Sequence, residues 1–350
     1  MVMYVFFLIL GLLHCKSYAL QCMDQNNNPV DWYVIYKLPQ VKHANNLIAE
    51  GVAYTYITSN DISDWKLSST SINDSNSIVA HTLKPLYTDK NNLYILYNDE
   101  NPDGSVNFNK GHTKGIVLGN NNGGIWLIHS VPRFPSLDTH QYVYPSNGVT
   151  FGQSFLCISL NVENLDLVGT QLLYNVPNMY AHYMPDTLKW MFPKLDNVLD
   201  NNSNKNPPWY HLQSLLSLGG TQFLSFAKGR KFVKELYLDW VAPTIGFDLF
   251  AETWQNGPGR IPSECDIHFK VNNVRSLSIG VANLLFKATI DHSKWAVAST
   301  DKANADWICI GDINRATAQR QRGGGTVCFN QPQVAKAYQK SIAELEPCPS

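Results

Sequence analysis

Two segments of this 350-residue chain carry the same short pattern half a chain apart. GHTKGIVLGN, Gly111 to Asn120, and DHSKWAVAST, Asp291 to Thr300, each set a histidine and a lysine around one small hydroxyl residue and run on into apolar residues. From His112 to His292 is 292 − 112, or 180 positions. Self-similarity at that distance predicts two related halves, each lending one strand to a common site. The aliphatic run Ile116, Val117, Leu118 reads as a buried strand, whose alternate side chains share a face. His112 and Lys114 are therefore expected to point the same way, with the hydroxyl residue turned outward.

The triplet alone is cheap. Ten histidines and twenty lysines placed at random in this length give about 0.6 His-x-Lys triplets, and the chain has four. One, His14 to Lys16, lies in the N-terminal apolar segment, and another, His268 to Lys270, has Phe269 where the hydroxyl residue should be. The matched pair is set apart by the segments that follow it, Gly123 to His129 and Gly311 to Asn314. Strand pairing would bring His129 and Asn314 beside the lysines as further polar groups. For His129 a satisfied core histidine is an equal alternative.

These residue types select among reactions. Lysine is a poor metal ligand but binds phosphate as a point charge. One imidazole can attack phosphorus while a second protonates the departing oxygen, which needs one ring neutral and one charged. Phosphodiester cleavage without metal or cofactor fits all six groups, His112, Lys114, His292, Lys294, His129 and Asn314. No Gly-x-Ser-x-Gly elbow serves acyl chemistry, and no cluster of carboxylates and histidines at ligand spacing stands out for a metal nuclease.

Val2 to Leu13 is uncharged and apolar but too short to span a bilayer, and Ser17-Tyr18-Ala19 offers small residues for cleavage, so residues 1–19 read as a signal peptide. No other segment has the apolar length of a membrane anchor. Six cysteines remain beyond it, Cys22, Cys157, Cys265, Cys309, Cys328 and Cys348. An even number in an exported chain favours three disulfides, and the absence of any CxxC argues against zinc. Asn73 and Asn201 head N-glycosylation sequons. The formal charge of −1 becomes −2 without Lys16, and the nine mature histidines carry it to +7 when all are protonated. An acidic compartment would thus give the surface an attraction for anions, less whatever histidines are buried.

Strand-like runs (Trp32 to Leu38, Leu93 to Tyr97, Gly124 to His129, Trp307 to Ile310) alternate with turns, while Val334, Tyr338, Ile342 and Leu345 have the spacing of a C-terminal helix. The expectation is an α/β or α+β architecture of mixed sheets. The polar, proline-bearing stretch Asp200 to Trp209 divides it into halves at 20–200 and 209–350, with a long loop inside one domain as the alternative.

At these residues the chain resembles the deoxyribonuclease II family of the phospholipase D superfamily. The blocks are PVDWYVIYKLP, LYNDE, GHTKG, GGIWLIHSVPRFP, FGQSFLC, SFAK, DHSKW, CIGDINR and QRGGGTVC, spread over nearly the whole mature chain. The resemblance implies two phospholipase D-like halves forming a pseudo-dimer with a shared site. It further implies metal-independent hydrolysis of double-stranded DNA at acid pH with 3′-phosphate and 5′-hydroxyl products, in a lysosome or a secretion; a homodimer is left open. By its motifs His112, Lys114, His292 and Lys294 are catalytic, His129 is a further required histidine, and Asn314 follows the second motif. His112 would be the nucleophile and His292 the acid. The implied disulfides are Cys22 with Cys157, Cys265 with Cys348, and Cys309 with Cys328. Gly119 and Asn120 stand where the superfamily has an aspartate after the first lysine, and Asp301 stands near that place in the second half, so the first half lacks an evident carboxylate. His268 has no counterpart, which favours a surface role. The rival readings are a phospholipid-directed phosphodiesterase of the same superfamily and a toxin-like or DNA-binding homologue with a weakened site.

Overall fold

Every residue of Trp32–Lys37 is buried, because this run of aromatic and β-branched residues forms a central strand covered on both faces. Trp32, Val34 and Tyr36 enter one core while Tyr33 and Ile35 enter another, the two-residue alternation of a strand. The computed structural model describes residues 18–44, 46–265, 268–300 and 302–349. Most of the signal-peptide segment, and Asp301, lie outside the described residues.

A short ribbon pairs β1 (Cys22–Met23) with β2 (Pro29–Val30). Eight antiparallel strands make the first large sheet: β3 (Trp32–Lys37), β4 (Tyr54–Thr58), β5 (Asp61–Leu67), β6 (Leu93–Tyr97), β7 (Gly115–Asn120), β8 (Gly123–His129), β9 (Gln153–Leu160) and β10 (Met179–Tyr183). Their order is β10-β6-β7-β8-β9-β3-β4-β5. The second sheet has ten: β11 (Tyr210–Leu216), β12 (Gln222–Lys228), β13 (Leu249–Glu252), β14 (Glu264–Cys265), β15 (Lys270–Ile279), β16 (Leu284–Lys287), β17 (Trp295–Ala298), β18 (Trp307–Gly311), β19 (Gly324–Asn330) and β20 (Ile342–Leu345). Its main path is β11-β12-β19-β18-β17-β13-β15-β14, with β16 and β20 on β15. With few helices beside them, the sheets make a mixed α/β fold.

One apolar core lies between the sheets, joining Trp32, Val34 and Val117 of the first to Trp295, Val297 and Phe329 of the second. The helix Val162–Asn175 feeds Leu165, Val168 and Leu172 into it. Trp295 is fully buried there, its ring 5.0 Å from Tyr338 and its indole N–H donating to the Tyr36 hydroxyl at 3.4 Å. Three disulfides join Cys22 to Cys157, Cys265 to Cys348 and Cys309 to Cys328. Asn73 and Asn201 are both exposed.

The C-terminal helix is shorter than its spacing suggests. It covers Pro332–Lys340 and buries Val334 and Tyr338, but Ile342–Leu345 is β20. A spacing of three places Ile342 and Leu345 on one helical face, yet the unpaired edge of β15 takes this segment as a strand and satisfies its backbone. No described helix is long and apolar enough to cross a membrane.

Truncating Trp295 to alanine removes one of the large rings between the sheets and is expected to cost about 3–5 kcal/mol of stability. Urea unfolding followed by far-ultraviolet dichroism checks this, and a loss below about 1 kcal/mol would contradict the shared core.

Candidate active site

Neither His-x-Lys triplet lies inside a strand. β7 begins at Gly115 and β17 at Trp295, so each triplet is the irregular lead-in to its strand. The reason is a cross-sheet exchange of backbone bonds. His112 N–H donates to the Gly323 carbonyl and His292 N–H to the Gly152 carbonyl, both at 2.8 Å. The acceptors must be glycines: a Cβ on Gly323 would stand 2.2 Å from the Asn175 carbonyl oxygen, and one on Gly152 2.3 Å from Asp291 Oδ1.

The imidazoles repeat the exchange. His112 Nδ1 is 2.6 Å from the Asp312 carbonyl oxygen, and His292 Nδ1 is 3.0 Å from that of Ser130 and 3.3 Å from Gln153 Oε1. Carbonyl oxygens only accept, so each Nδ1 carries the hydrogen and each Nε2 keeps a lone pair while the ring is neutral. Asp312 and Ser130 hold equivalent posts, one residue beyond β18 and β8. The equivalence extends to Gly311 N–H donating to Lys294 O at 3.0 Å and His129 N–H donating to Lys114 O at 3.4 Å.

The lysines differ. Lys114 Nζ pairs with Asp99 Oδ1, and Asp99 Oδ2 also stands 3.6 Å from His112 Nε2 and 3.7 Å from Arg322 Nη1. Burial opposes the charge of Asp99, but Lys114, His112 and Arg322 outweigh it and hold the carboxyl well below the usual range. Lys294 Nζ instead donates to the His292 carbonyl, and burial followed by Lys114 pushes its ammonium well below the ordinary lysine value. Burial is also the main cause that lowers His112 to about 3, with Lys114 next. His292 is lowered well below its ordinary value by burial, then by Lys294 and Lys114. Both rings are therefore neutral at neutral pH.

The hydroxyl residues do not face outward. Thr113 and Ser293 are buried, and Ser293 Oγ donates to Asp291 Oδ2 at 2.9 Å. A polar side chain in a lead-in at the sheet junction has no solvent side to turn to. His129 is fully buried between Phe134 and Phe155, with ring centroids at 5.3 and 5.8 Å; its Nδ1 accepts from Val131 N–H at 3.2 Å and its Nε2 has no partner among the described residues. Asn314 Oδ1 accepts from Trp254 N–H at 3.3 Å, and the Trp254 ring lies 5.2 Å from that of His292, so Asn314 meets the motif through Trp254. His268 is exposed. Among the described residues no group of three histidine, cysteine, aspartate or glutamate side chains is arranged to hold a metal ion.

Sequence reasoning missed Asp99, Gln153, Trp254 and Arg322. Asp99 is the first-half carboxylate that was wanting, and it comes from the end of the LYNDE block rather than from beyond Lys114. Gln153 and Arg322 sit in FGQSFLC and QRGGGTVC, blocks whose polar residues were a signal left unread.

The profile of the deoxyribonuclease II family matches residues 21–348. Plancitoxin-1 of Acanthaster planci is 40% identical, covering 95% of this chain and 93% of its own. Deoxyribonuclease-2-alpha of Mus musculus is 38% identical over 97% of both chains, and deoxyribonuclease-2 of Caenorhabditis elegans is 34% identical over 95% of both. The chain belongs to the deoxyribonuclease II family. Relatives of that kind support a deoxyribonuclease function, with DNA as substrate.

Burial followed by Lys114 lowers His129 to about 3 from its ordinary 6.5. Within that window the unfolded chain binds a proton that the folded one refuses, so stability falls as pH drops from 6.5 towards 3. Between pH 7 and pH 5, His129→Gln should lose about 2 kcal/mol less than the parent chain. Urea unfolding at the two pH values measures it, and equal losses would refute a neutral buried His129.

Proposed function

We propose that this protein is an acid endodeoxyribonuclease that hydrolyses double-stranded DNA without metal through a phosphohistidine. It would be built of two phospholipase D-like halves, 20–200 and 209–350, around a shared site. The carrying observation is that each motif ring is held at Nδ1 by a carbonyl from the other sheet, which leaves two Nε2 lone pairs within the electrostatic reach of Lys114 and Lys294. Nε2 of one histidine attacks the phosphorus and the bond to O5′ breaks, with the second histidine giving its proton to that oxygen. Water then attacks the phosphorus, the P–N bond breaks, and the second histidine takes the water proton. The products are a 5′-hydroxyl and a 3′-phosphate.

The resting electrostatics support acid pH. Burial keeps both rings neutral, yet one must bring a proton, so a low external pH together with the anionic phosphodiester supplies what the site withholds. Lys114 and Lys294 hold the non-bridging oxygens as charge builds on them. His129 and Asn314 support the lead-in segments from behind. The resemblance makes His112 the nucleophile and His292 the acid. Asp99, 3.6 Å from His112 Nε2, favours the exchanged roles, because a carboxylate there stabilises a charged His112. Export by a signal peptide at 1–19, glycans on Asn73 and Asn201, and residence in a lysosome or a secretion complete the reading.

A defined duplex at pH 5 with excess chelator tests it. His112→Ala and His292→Ala should each lower the single-turnover rate by about 1000-fold or more. Undiminished cleavage by either variant would sink the mechanism, a requirement for added magnesium would sink metal independence, and end-group analysis checks the products. Rapid quench and mapping of the phosphorylated histidine assigns the nucleophile.

A further inference from the structure

At the free edge of the second sheet lies a cleft that this chemistry leaves unused. Trp209, Tyr210, Phe232 and Trp240 line a cavity of about 380 Å³, with Lys231 and Lys234. That volume is within the range of ligand clefts. Tyr210 meets Trp240 at 5.0 Å and Phe232 at 5.3 Å, both edge to face, and Lys231 Nζ stands 4.3 Å from the Trp209 ring centroid. Edge-on packing leaves ring surface uncovered, and Tyr210 is 43% exposed. The one acid of the lining, Asp239, accepts the Glu235 N–H at 2.7 Å.

The cleft is braced against the candidate active site. Lys228, fully buried at the end of β12, donates to the carbonyls of Gln319 at 2.8 Å and Arg322 at 2.6 Å. The Arg322 guanidinium in turn lies 3.7 Å from Asp99 and donates to the carbonyls of Lys110 and Gly111 at 3.1 and 3.2 Å. Immediately after Lys228, Gly229 N–H donates to the Trp209 carbonyl at 2.8 Å, and Lys231 reaches the Trp209 ring. Arg322 and the Lys228–Gly229 segment therefore link the Asp99–Lys114 pair to the aromatic wall.

Ring faces accept any base by stacking, and lysines beside them accept phosphate; together they make a platform for single-stranded nucleic acid. Paired bases in a duplex have no face to offer, so the cleft suits a strand that has come unpaired. We propose that it binds an unpaired nucleotide of the DNA strand leading away from the catalytic histidines, with the base against Trp209 and Tyr210 and the phosphate at Lys231 and Lys234. The inference rests on the nuclease reading for its DNA, while the cleft's affinity can be read without catalysis.

Fluorescence anisotropy of a labelled phosphorothioate oligothymidylate of about 12 nucleotides, titrated with the full chain carrying His292→Ala at pH 5 in chelator, tests it. Adding Trp209→Ala or Lys231→Ala should each weaken binding about 10-fold, and Trp209→Phe should restore most of the loss. Lys231→Ala should also lower the salt slope by about one, while affinity for a blunt, fully paired hairpin changes by less than about twofold. Unchanged oligothymidylate affinity in both alanine variants, or an equal loss on the hairpin, overturns the proposal. Cleavage of an ordinary duplex by the His292→Ala chain would instead strike at the mechanism proposed above and leave the cleft's result standing.

Discussion

The structure depends on a reciprocal loan of backbone carbonyls. Gly323 and Asp312 of the second sheet hold the amide and the ring of His112, and Gly152 and Ser130 of the first do the same for His292. Neither histidine can be fixed by its own sheet. The loan requires the two sheets to sit in a single relative register, which the common apolar core supplies through Trp295, Tyr36 and Tyr338, rings that meet tilted or edge-on between them. Packing energy spread over a large core thus sets the placement of two small polar groups, whose own bonds are each worth only about 1 kcal/mol net.

That placement is electrostatically expensive. Lys114, Lys294, Asp99 and His112 are buried and His292 is half-buried, and like charges face one another across the junction. Partial neutralisation by Asp99 makes the cluster tolerable, and loss of the histidines' protons accounts for the rest. A site of this charge favours an anion. A phosphodiester entering it would act as the missing counterion and raise the affinity of the rings for protons, so substrate binding and proton uptake reinforce each other.

Much of this was legible in the sequence, because the repeat at His112 and His292 and the strand runs around it are local patterns. The strand-like runs expected at Trp32 to Leu38 and Gly124 to His129 appear, each with one end shifted by a residue, as Trp32–Lys37 and Gly123–His129. Three features were not legible. Whether Ile342 continues a helix or starts a strand depends on the open edge of β15, a partner distant in sequence. The lead-in conformation of the triplets depends on carbonyls from the opposite sheet, which no local window contains. Asp99 was hidden for the same reason: it reaches Lys114 because β6 and β7 pair with Tyr97 opposite Gly115, and its sequence separation has no fixed motif. The family blocks contained Asp99, Gln153 and Arg322, but without coordinates nothing ranked those residues above their neighbours.

The near-symmetry breaks at the lysines, and the break has a chemical consequence. Lys114 already has a carboxylate, so a phosphate oxygen arriving there must share the ammonium with Asp99. Lys294 is bound by a backbone carbonyl, and the nearby carboxyl of Glu252 is fully buried with neither oxygen hydrogen-bonded among the described residues. Burial raises the Glu252 carboxyl well above its ordinary value, so it is held neutral and competes with no phosphate for that ammonium. Among the described residues the Lys294 amine is therefore held by a backbone carbonyl rather than by a charged carboxylate, and burial followed by Lys114 lowers its affinity for a proton. The asymmetry extends to the two rings: Asp99 stands 3.6 Å from His112 Nε2 and favours its charged form, whereas Lys294 is the leading charged influence on His292 and opposes its charged form.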